Sequence, residues 1–487
     1  MNHRITIKGN DFSIDKDELN CCASQIEDWM STYFHPPFNG SGGIGGPIAT
    51  YWASSPYMAG PYVMNSYGLI RGLCARARDE NASEARLRAE NLALYYLRSQ
   101  DPTSGVYICS WGETPLVSNG LIQQASVVAA LWDLQGAWPN REVAKSALRG
   151  WDACLQDRHL RSMWPVHNQA LRACEALILG IQARGDDRPN SREKALLRRV
   201  GRLVAESQWA ANSRVAGALP QALPNDDIIM PYQGKCLKPL IMLSEVLDDS
   251  LYLDIAQRLA DFIVKNMEAD ESGPLLGSRY LPVGAGLKHA RRLYRARRLF
   301  PFLEPHLRRH RQRRIEQWEF SPWPRWIARG LDTARGLYHL GLALKEDRYI
   351  KVGLAMLEKA LEYRSPLGGI RNTLGFFGED PDGVGQVWQD VAAIPRWNSY
   401  AIQFLHELAS GAPVLKPQKP PEGAQDIVRL SGNTSLVETL TELHLVRDTG
   451  EEVWRLKKSQ RWGRPFRQVC QWDEGAAIAG RKGLRQC

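Results

Sequence analysis

Six times along the chain an apolar helical stretch begins just after a loop rich in Trp, Gly, Asp or Pro, and in most cases a charge-flecked helix follows closely. A helix with an apolar face must bury it against neighbours, so tandem helical pairs stack into an array or close into a ring. The spacing is cleanest over 323–363. There Leu331, Ala334, Leu337, Tyr338, Leu340, Leu342 and Leu344 recur at helical intervals, the charged run 345–348 turns the chain, and Ile350, Leu354, Leu357 and Leu361 continue on a second helix. A second copy spans 231–267. Earlier copies pair 61–78 with 83–100, 118–135 with 141–157, and 167–184 with 192–209.

The sixth apolar helix, 391–408, has no partner after it, whereas 19–33 near the N-terminus is helical and unpaired. Supplying the missing outer helix from that segment closes a ring. The expected fold class is therefore all-α, an (α/α)6 toroid of helical hairpins with a basic helical insertion and a C-terminal tail. Its expected extent is 1–411, with the insertion at 282–322, a Pro-rich linker at 412–426 and a basic appendage at 427–487 that opens with a short helix over 427–447. Loops ahead of the inner helices would then meet at one mouth.

The formal charge of +9 is local: between Pro282 and Gly330 stand 13 Lys or Arg against three Glu, and the remainder is close to neutral. Such a stretch is either a solvated helical excursion or a basic wall beside the mouth, suited to an acidic ligand. It lacks the interleaved aromatic platforms of single-strand binders, so no nucleic-acid partner is expected. Nine cysteines show no CysXxxXxxCys spacing, and Cys74, Cys154, Cys174 and Cys236 sit on apolar faces as small reduced hydrophobes. His306 and His310 are four apart, but the surrounding arginines would repel a metal cation; neither metal nor cofactor is expected. The Gly-rich segment 39–47 lacks the Lys-Ser/Thr of a phosphate loop. With no run of about 20 apolar residues and no apolar leader, the expectation is a cytoplasmic protein with no membrane partner.

Side chains can converge in loops without disrupting a core, so the chemistry is sought ahead of the inner helices. Those loops are aromatic and acidic: Tyr107, Trp111 and Glu113; Trp164, His167 and Asn168; Asp226, Asp227 and Tyr232; Trp323, Arg325, Trp326, Arg329 and Asp332; Glu379, Asp380, Asp382, Trp388, Asp390 and Trp397. Aromatic faces beside carboxylates suit sugars, which offer C–H faces to stack and hydroxyls to bond. The expected partner is an oligosaccharide, acidic if the basic stretch faces the mouth. Expected substrate-binding residues are Trp111, His167, Tyr232, Trp323, Arg325, Trp326, Arg329 and Trp388.

A helical ring entered through a TrpXxxXxxArgGly loop (326–330) resembles the six-hairpin glycosidase superfamily. Two segments resemble its unsaturated glucuronyl hydrolase branch: AspAspIleIleMetPro (226–231) with the helix that follows, and TrpIleAlaArgGly (326–330) followed by GlyLeuTyrXxxLeuGlyLeu. The chain departs from that branch after ArgGly, where LeuAspThrAlaArg stands, and the basic insertion separates the two segments. The resemblance implies a glycoside hydrolase in which Asp227, or Asp226, protonates C4 of a 4,5-unsaturated uronide and then activates water for addition at C5. A conventional inverting hydrolase would instead set Asp227 across from Glu113 or Asp390, about 6.5–9.5 Å apart.

Each acid has a plainer alternative as a helix cap. Arg325 and Arg329 either hold a substrate carboxylate or neutralise Asp332. His167 either begins its helix as a satisfied polar residue or acts on substrate. Asn119, His167 and Tyr232 together suit a polysaccharide lyase, and sugar epimerases share related rings. A non-catalytic glycan-binding or scaffolding toroid, with acids that only cap, is the remaining class.

Overall fold

A computed structural model describes residues 5–8, 11–31, 49–50, 60–61, 66–77, 82–107, 121–161, 165–186, 188–222, 227–268, 274–282, 300, 302, 315, 318–321, 324–366, 368–374, 395–411, 442–446, 452–457 and 485–486. Twelve long helices lie among them: α1 (Lys16–Ser31), α2 (Tyr67–Ala75), α3 (Ala82–Ser99), α4 (Leu121–Ala137), α5 (Arg141–Gln156), α6 (His167–Ala183), α7 (Ser191–Ser207), α8 (Met230–Leu247), α9 (Leu251–Glu268), α10 (Leu331–Leu344), α11 (Asp347–Glu362) and α12 (Pro395–Ser410).

The even-numbered helices form the inner ring. Each packs on the next, from α2 to α4, α6, α8, α10 and α12, and α12 returns to α2. Helices α3, α5, α7, α9 and α11 each cover the inner helix before them, and α1 packs on α12 as the sixth outer helix. The ring is thus an (α/α)6 toroid, closed through the N-terminal helix as the count of hairpins requires.

The two layers differ as their sequences dictate. Outer helix α5 buries only Val143, Ser146, Ala147, Gly150 and Cys154, whereas inner helix α4 buries 15 of its 17 residues. An outer helix needs one apolar stripe; an inner helix is enclosed all round. Outer helices α5 and α7 begin on asparagine caps, Asn140 and Asn190. The Asn190 side chain accepts from the Arg192 and Glu193 amides, and Glu193 reaches back to the Asn190 amide, so that α7 begins on a capping box.

Inner helices approach closely where a glycine permits it. A Cβ on Gly68 of α2 would lie 2.5 Å from Ser399 Oγ of α12, and one on Gly234 of α8 would lie 2.5 Å from Thr333 Cα of α10. The first glycine sits at the seam that closes the ring.

Alternate inner helices carry an amide at their fourth residue that clamps the segment leaving the preceding outer helix. Gln124 binds both backbone groups of Tyr107 at 2.8 Å. Gln233 does the same to Leu219 at 2.8 Å, and Asn398 to Ile370 at 2.7 and 3.0 Å. A buried backbone pair that lacks a strand partner is satisfied this way. The mouth-side connections are thereby fixed to the helices they precede.

Short strands serve as ties rather than layers. β1 (Ile5–Lys8) pairs antiparallel with β2 (Asp11–Ile14), and β3 (Ala49–Thr50) with β4 (Gly60–Pro61). β5 (Ile228–Ile229), β6 (Arg279–Pro282) and β7 (Trp318–Ser321) form an antiparallel sheet in that order. β8 (Arg325–Trp326) pairs with β9 (Thr373–Leu374). The insertion expected at 282–322 leaves along β6 and returns along β7, between hairpins four and five; its interior lies almost wholly outside the described residues.

In the C-terminal appendage, Glu442–Val446 is a strand of a three-stranded sheet with Glu452–Lys457 and Arg485–Gln486. This corrects the helix expected over 427–447 at its C-terminal end. Alternating Leu443, Leu445 and His444, Val446 fit a pleat. Among the described residues, no helix is long and apolar enough to cross a membrane.

Candidate functional site

The inner helices set polar side chains inside the ring at positions otherwise occupied by Leu, Ile and Ala. They come at three-residue spacing, which keeps both members on one helix face: Arg172 and Glu175 on α6, Lys235 and Lys238 on α8, Asp332 and Arg335 on α10, the last followed by His339. Tyr67 and Arg71 on α2, Asp133 on α4, and Trp397, Tyr400 and Glu407 on α12 complete the set. All six inner helices contribute.

The deep part of this column is a compensated ion network. Arg71 binds Asp133 through Nε and Glu175 through Nη1, the latter at 2.9 Å. Glu175 also pairs with Arg172, and Lys238 Nζ lies 3.9 Å from it. Arg335 donates to both oxygens of Glu407 at 2.6 Å, and His339 Nε2 meets Glu407 at 3.0 Å. All of these except Asp133 are buried.

Burial alone would raise both carboxyls. Arg172, Arg71 and Lys238 outweigh it at Glu175, and Arg335, with the His339 hydrogen bond and Lys238, outweighs it at Glu407, so both are held far below the usual carboxylate range. Burial, reinforced by Arg335 and Arg71, lowers Lys238 to about 7, and burial lowers His339 to about 4. These acids are fixed as anions and cannot donate a proton near neutrality.

Nearer the mouth the balance changes. Asp332 is bound by Arg172 at 3.3 Å and lies 3.8 Å from Lys235. Lys235 donates to the Tyr400 hydroxyl at 2.7 Å and stands 4.7 Å above the Tyr400 ring and 5.5 Å from that of Trp397. Pro239, inside α8, has no N–H for the Lys235 carbonyl four residues back, which loosens the helix at this point.

At the rim, the Arg329 guanidinium lies 4.3 Å from the Trp326 ring, 4.8 Å from Trp397 and 5.3 Å from Tyr232. Arg396 stacks on Trp397 as well, at 4.2 Å. No carboxylate among the described residues pairs with Arg329, its Nε is buried without a hydrogen-bond partner, and burial pushes its pKa down. Burial would raise the Tyr232 phenol, but Arg329, Lys235 and Arg396 together bring it below its ordinary value. A desolvated cation framed by aromatic rings can accept a planar anion while the rings receive the apolar face of a sugar.

Local backbone ties hold these groups. The Trp326 amide donates to Leu276 O at 2.8 Å, the Ile327 amide to Asn372 O at 2.9 Å, and a single 3-10 turn, Ala328–Gly330, then presents Arg329 ahead of α10.

Of the residues expected at the site, Tyr232, Trp326 and Arg329 come together, with Trp397 from the sixth loop. Arg325 lies next to them in β8 and pairs through its backbone with Leu374. Asp227 stands just before β5, partly exposed, with its carbonyl accepting from the Gln221 amide at 2.7 Å. His167 is buried at the start of α6. Its Nδ1 donates to the Pro220 carbonyl at 2.7 Å, which leaves Nε2 to accept from Ser207 Oγ at 2.9 Å. Both ring nitrogens therefore have framework partners, the plainer of the two roles expected for it. Trp111, Glu113, Asn119, Asp226, Trp323, Trp388 and Asp390 lie outside the described residues.

The axial groups Tyr67, Arg71, Arg172, Glu175, Lys235, Lys238, Arg335, Tyr400 and Glu407 were not expected from the loops. A signal for them exists: charges spaced by three inside stretches too apolar to be surface helices. Among the described residues, no group of three His, Cys, Asp or Glu stands close enough to hold a metal ion.

No family model matches the chain, and no curated protein matches it in sequence. Solved structures do match in fold. A D-mannose isomerase shares 15% identity over 84% of this chain and 100% of its own, with a TM-score of 0.55. The cellobiose 2-epimerase of Bacillus thermoamylovorans B4167 shares 11% over 82% of this chain and 100% of its own, at 0.57. An unsaturated glucuronyl hydrolase specific for heparin shares 10% over 83% and 98%, at 0.52. The chain shares the (α/α)6 toroid fold of these structures.

Proposed function

We propose that the protein is a carbohydrate-active enzyme whose substrate carries a carboxylate, with Arg329 as the group that receives it. The observation that supports this reading is the setting of Arg329: Arg71, Arg172 and Arg335 of the column each have a carboxylate, whereas among the described residues this guanidinium has three aromatic faces, the Tyr232 phenol among them, and no carboxylate. A half-buried guanidinium with a buried, unpartnered Nε gains from an anion that a ligand supplies. Trp326 and Trp397 would receive the sugar ring, and Arg396 would add a second positive charge beside the carboxylate. The shared fold with enzymes named as sugar isomerases, epimerases and a glucuronyl hydrolase is consistent with a saccharide ligand.

Within this class, proton transfer at carbon is better supported than glycosidic hydrolysis. The buried acids Glu175 and Glu407 are locked as anions, while Tyr232 is shifted toward easier ionisation. Hydrolysis stays as the second reading because Asp227 stands partly exposed five residues ahead of Tyr232. Incubating the protein with glucuronate-terminated and with glucose-terminated oligosaccharides, followed by NMR, tests the proposal. Turnover confined to the acidic sugar is expected; equal turnover of both would refute the role of Arg329. An Asp227→Asn variant that keeps full activity would remove the hydrolytic reading.

A further inference from the structure

Of the three rings that frame Arg329, only Tyr232 carries a group that can accept a proton, since an indole N–H only donates. The ring centre lies 5.3 Å from the guanidinium, which also donates a hydrogen bond to the phenol oxygen. Both side chains are only partly covered, so a ligand arriving from solvent can reach them together. Tyr232 is the third residue of α8, whose first residue is tied by its amide to Ser278 O at 2.9 Å.

The acids of the column do not compete for this place. Glu175 and Glu407 are enclosed and paired with arginines, and Asp332 is buried and engaged by Arg172 and Lys235. The charged groups that act on Tyr232 are Arg329, Lys235 one turn on along its own helix, and Arg396 from α12; all are cations and, against burial, favour the phenolate. A guanidinium carries five N–H donors in one plane, so Arg329 can hold the phenol oxygen and a carboxylate side by side. The carbon next to that carboxylate then lies within reach of the Tyr232 oxygen.

We propose that Tyr232 is the base of a β-elimination that cleaves chains of 4-linked D-glucuronate; this rests on the reading of Arg329 given above. The Tyr232 phenolate takes the proton from C5, the carbon next to the carboxylate. The C–H electron pair becomes the C4=C5 double bond, the C4–O4 bond breaks with its electrons going to O4, and the Tyr232 phenol passes the proton to that oxygen. Tyr232 is then a phenolate again. The products are one fragment with a free hydroxyl and one that begins with a 4,5-unsaturated uronide, and nothing else is consumed. Arg329 and Arg396 meet the negative charge that gathers on the carboxylate as the proton leaves. One oxygen can serve both proton transfers only where the C5 proton and O4 share a face of the sugar ring. They do so in D-glucuronate and do not in D-galacturonate, whose O4 points the other way.

The test mixes the full chain with oligosaccharides of 4-linked D-glucuronate and, in parallel, of 4-linked D-galacturonate. It follows the ultraviolet absorbance of a double bond conjugated with a carboxylate, and the proton NMR signal of the vinylic C4 position. The glucuronate chains should be cleaved and the galacturonate chains bound but left intact, a contrast that needs no variant. Tyr232→Phe should slow cleavage by at least ~100-fold, the low end for loss of a general base. It should bind the glucuronate chain within about threefold of wild type, because the Arg329 contact with the carboxylate stays.

Failure of the wild type to bind either uronate chain would overturn the Arg329 reading and the elimination with it. Binding of the glucuronate chain without an unsaturated product, equal cleavage of the galacturonate chain, or cleavage at the wild-type rate by Tyr232→Phe would overturn the role of Tyr232 alone.

Discussion

Glu407 accepts two 2.6 Å bonds from Arg335 and one at 3.0 Å from His339, all three groups being fully enclosed. Glu407→Gln keeps the shape and removes the charge, leaving Arg335 without its anion. Breaking a buried pair from one side costs about 3–5 kcal/mol. With an unfolding entropy of about 2 cal/mol/K per residue over roughly 400 folded residues, the melting temperature should fall by about 4–6 °C. Adding Arg335→Met removes the orphaned cation, and the double variant should recover to within about 1 kcal/mol of wild type, because a buried ion pair is close to neutral against an apolar replacement. Scanning calorimetry near pH 7.5 on both single variants and the double variant measures the coupling. Single variants that melt with wild type, or a double variant whose loss is the sum of the two, would refute the idea that the column is stable only as a balanced set.

Two further outcomes follow from the same column and ring. Lys238 is lowered to about 7 in the fold against an ordinary 10.5, so the unfolded chain binds the extra proton between those values and the stability of the native state rises with pH there. Lys238→Met removes this slope, and its advantage over wild type should shrink by about 2–3 kcal/mol between pH 6.5 and 9 at ~1.4 kcal/mol per pH unit; parallel pH curves would contradict the assignment. Gly234→Ala would force a Cβ to 2.5 Å from Thr333 Cα, prise α8 from α10 and cost at least about 3 kcal/mol, seen as a lower melting temperature or insoluble expression; an unchanged melting curve would show that these helices are less closely packed.

The ring was legible because its evidence is periodic. Leu331 to Leu344 and Ile350 to Leu361 alternate as enclosed and half-covered helices must, and counting such pairs required α1 to close on α12. Tyr232, Trp326 and Arg329 were legible because aromatic and charged residues gather in the loop or first turn that opens an inner helix. Lys235, Glu175 and Arg335 were not, since two charges spaced by three inside an apolar helix read locally as a weak polar stripe and only the closed ring turns such stripes inward. The amides Gln124, Gln233 and Asn398 share one place on alternate helices but stand in dissimilar sequence. Strands β6 and β7 are four residues each beside prolines and carry no alternation long enough to recognise.

The most direct measurement is a calorimetric titration of a glucuronate-terminated oligosaccharide, with the glucose-terminated one as control, into the wild type and Arg329→Met. A charge-assisted bidentate contact is worth about 1.5–3 kcal/mol, so the variant should bind the acidic sugar about 10- to 100-fold more weakly and the neutral one unchanged. Equal affinity of wild type and Arg329→Met for the acidic sugar would contradict the carboxylate role assigned to the guanidinium between Trp326 and Trp397.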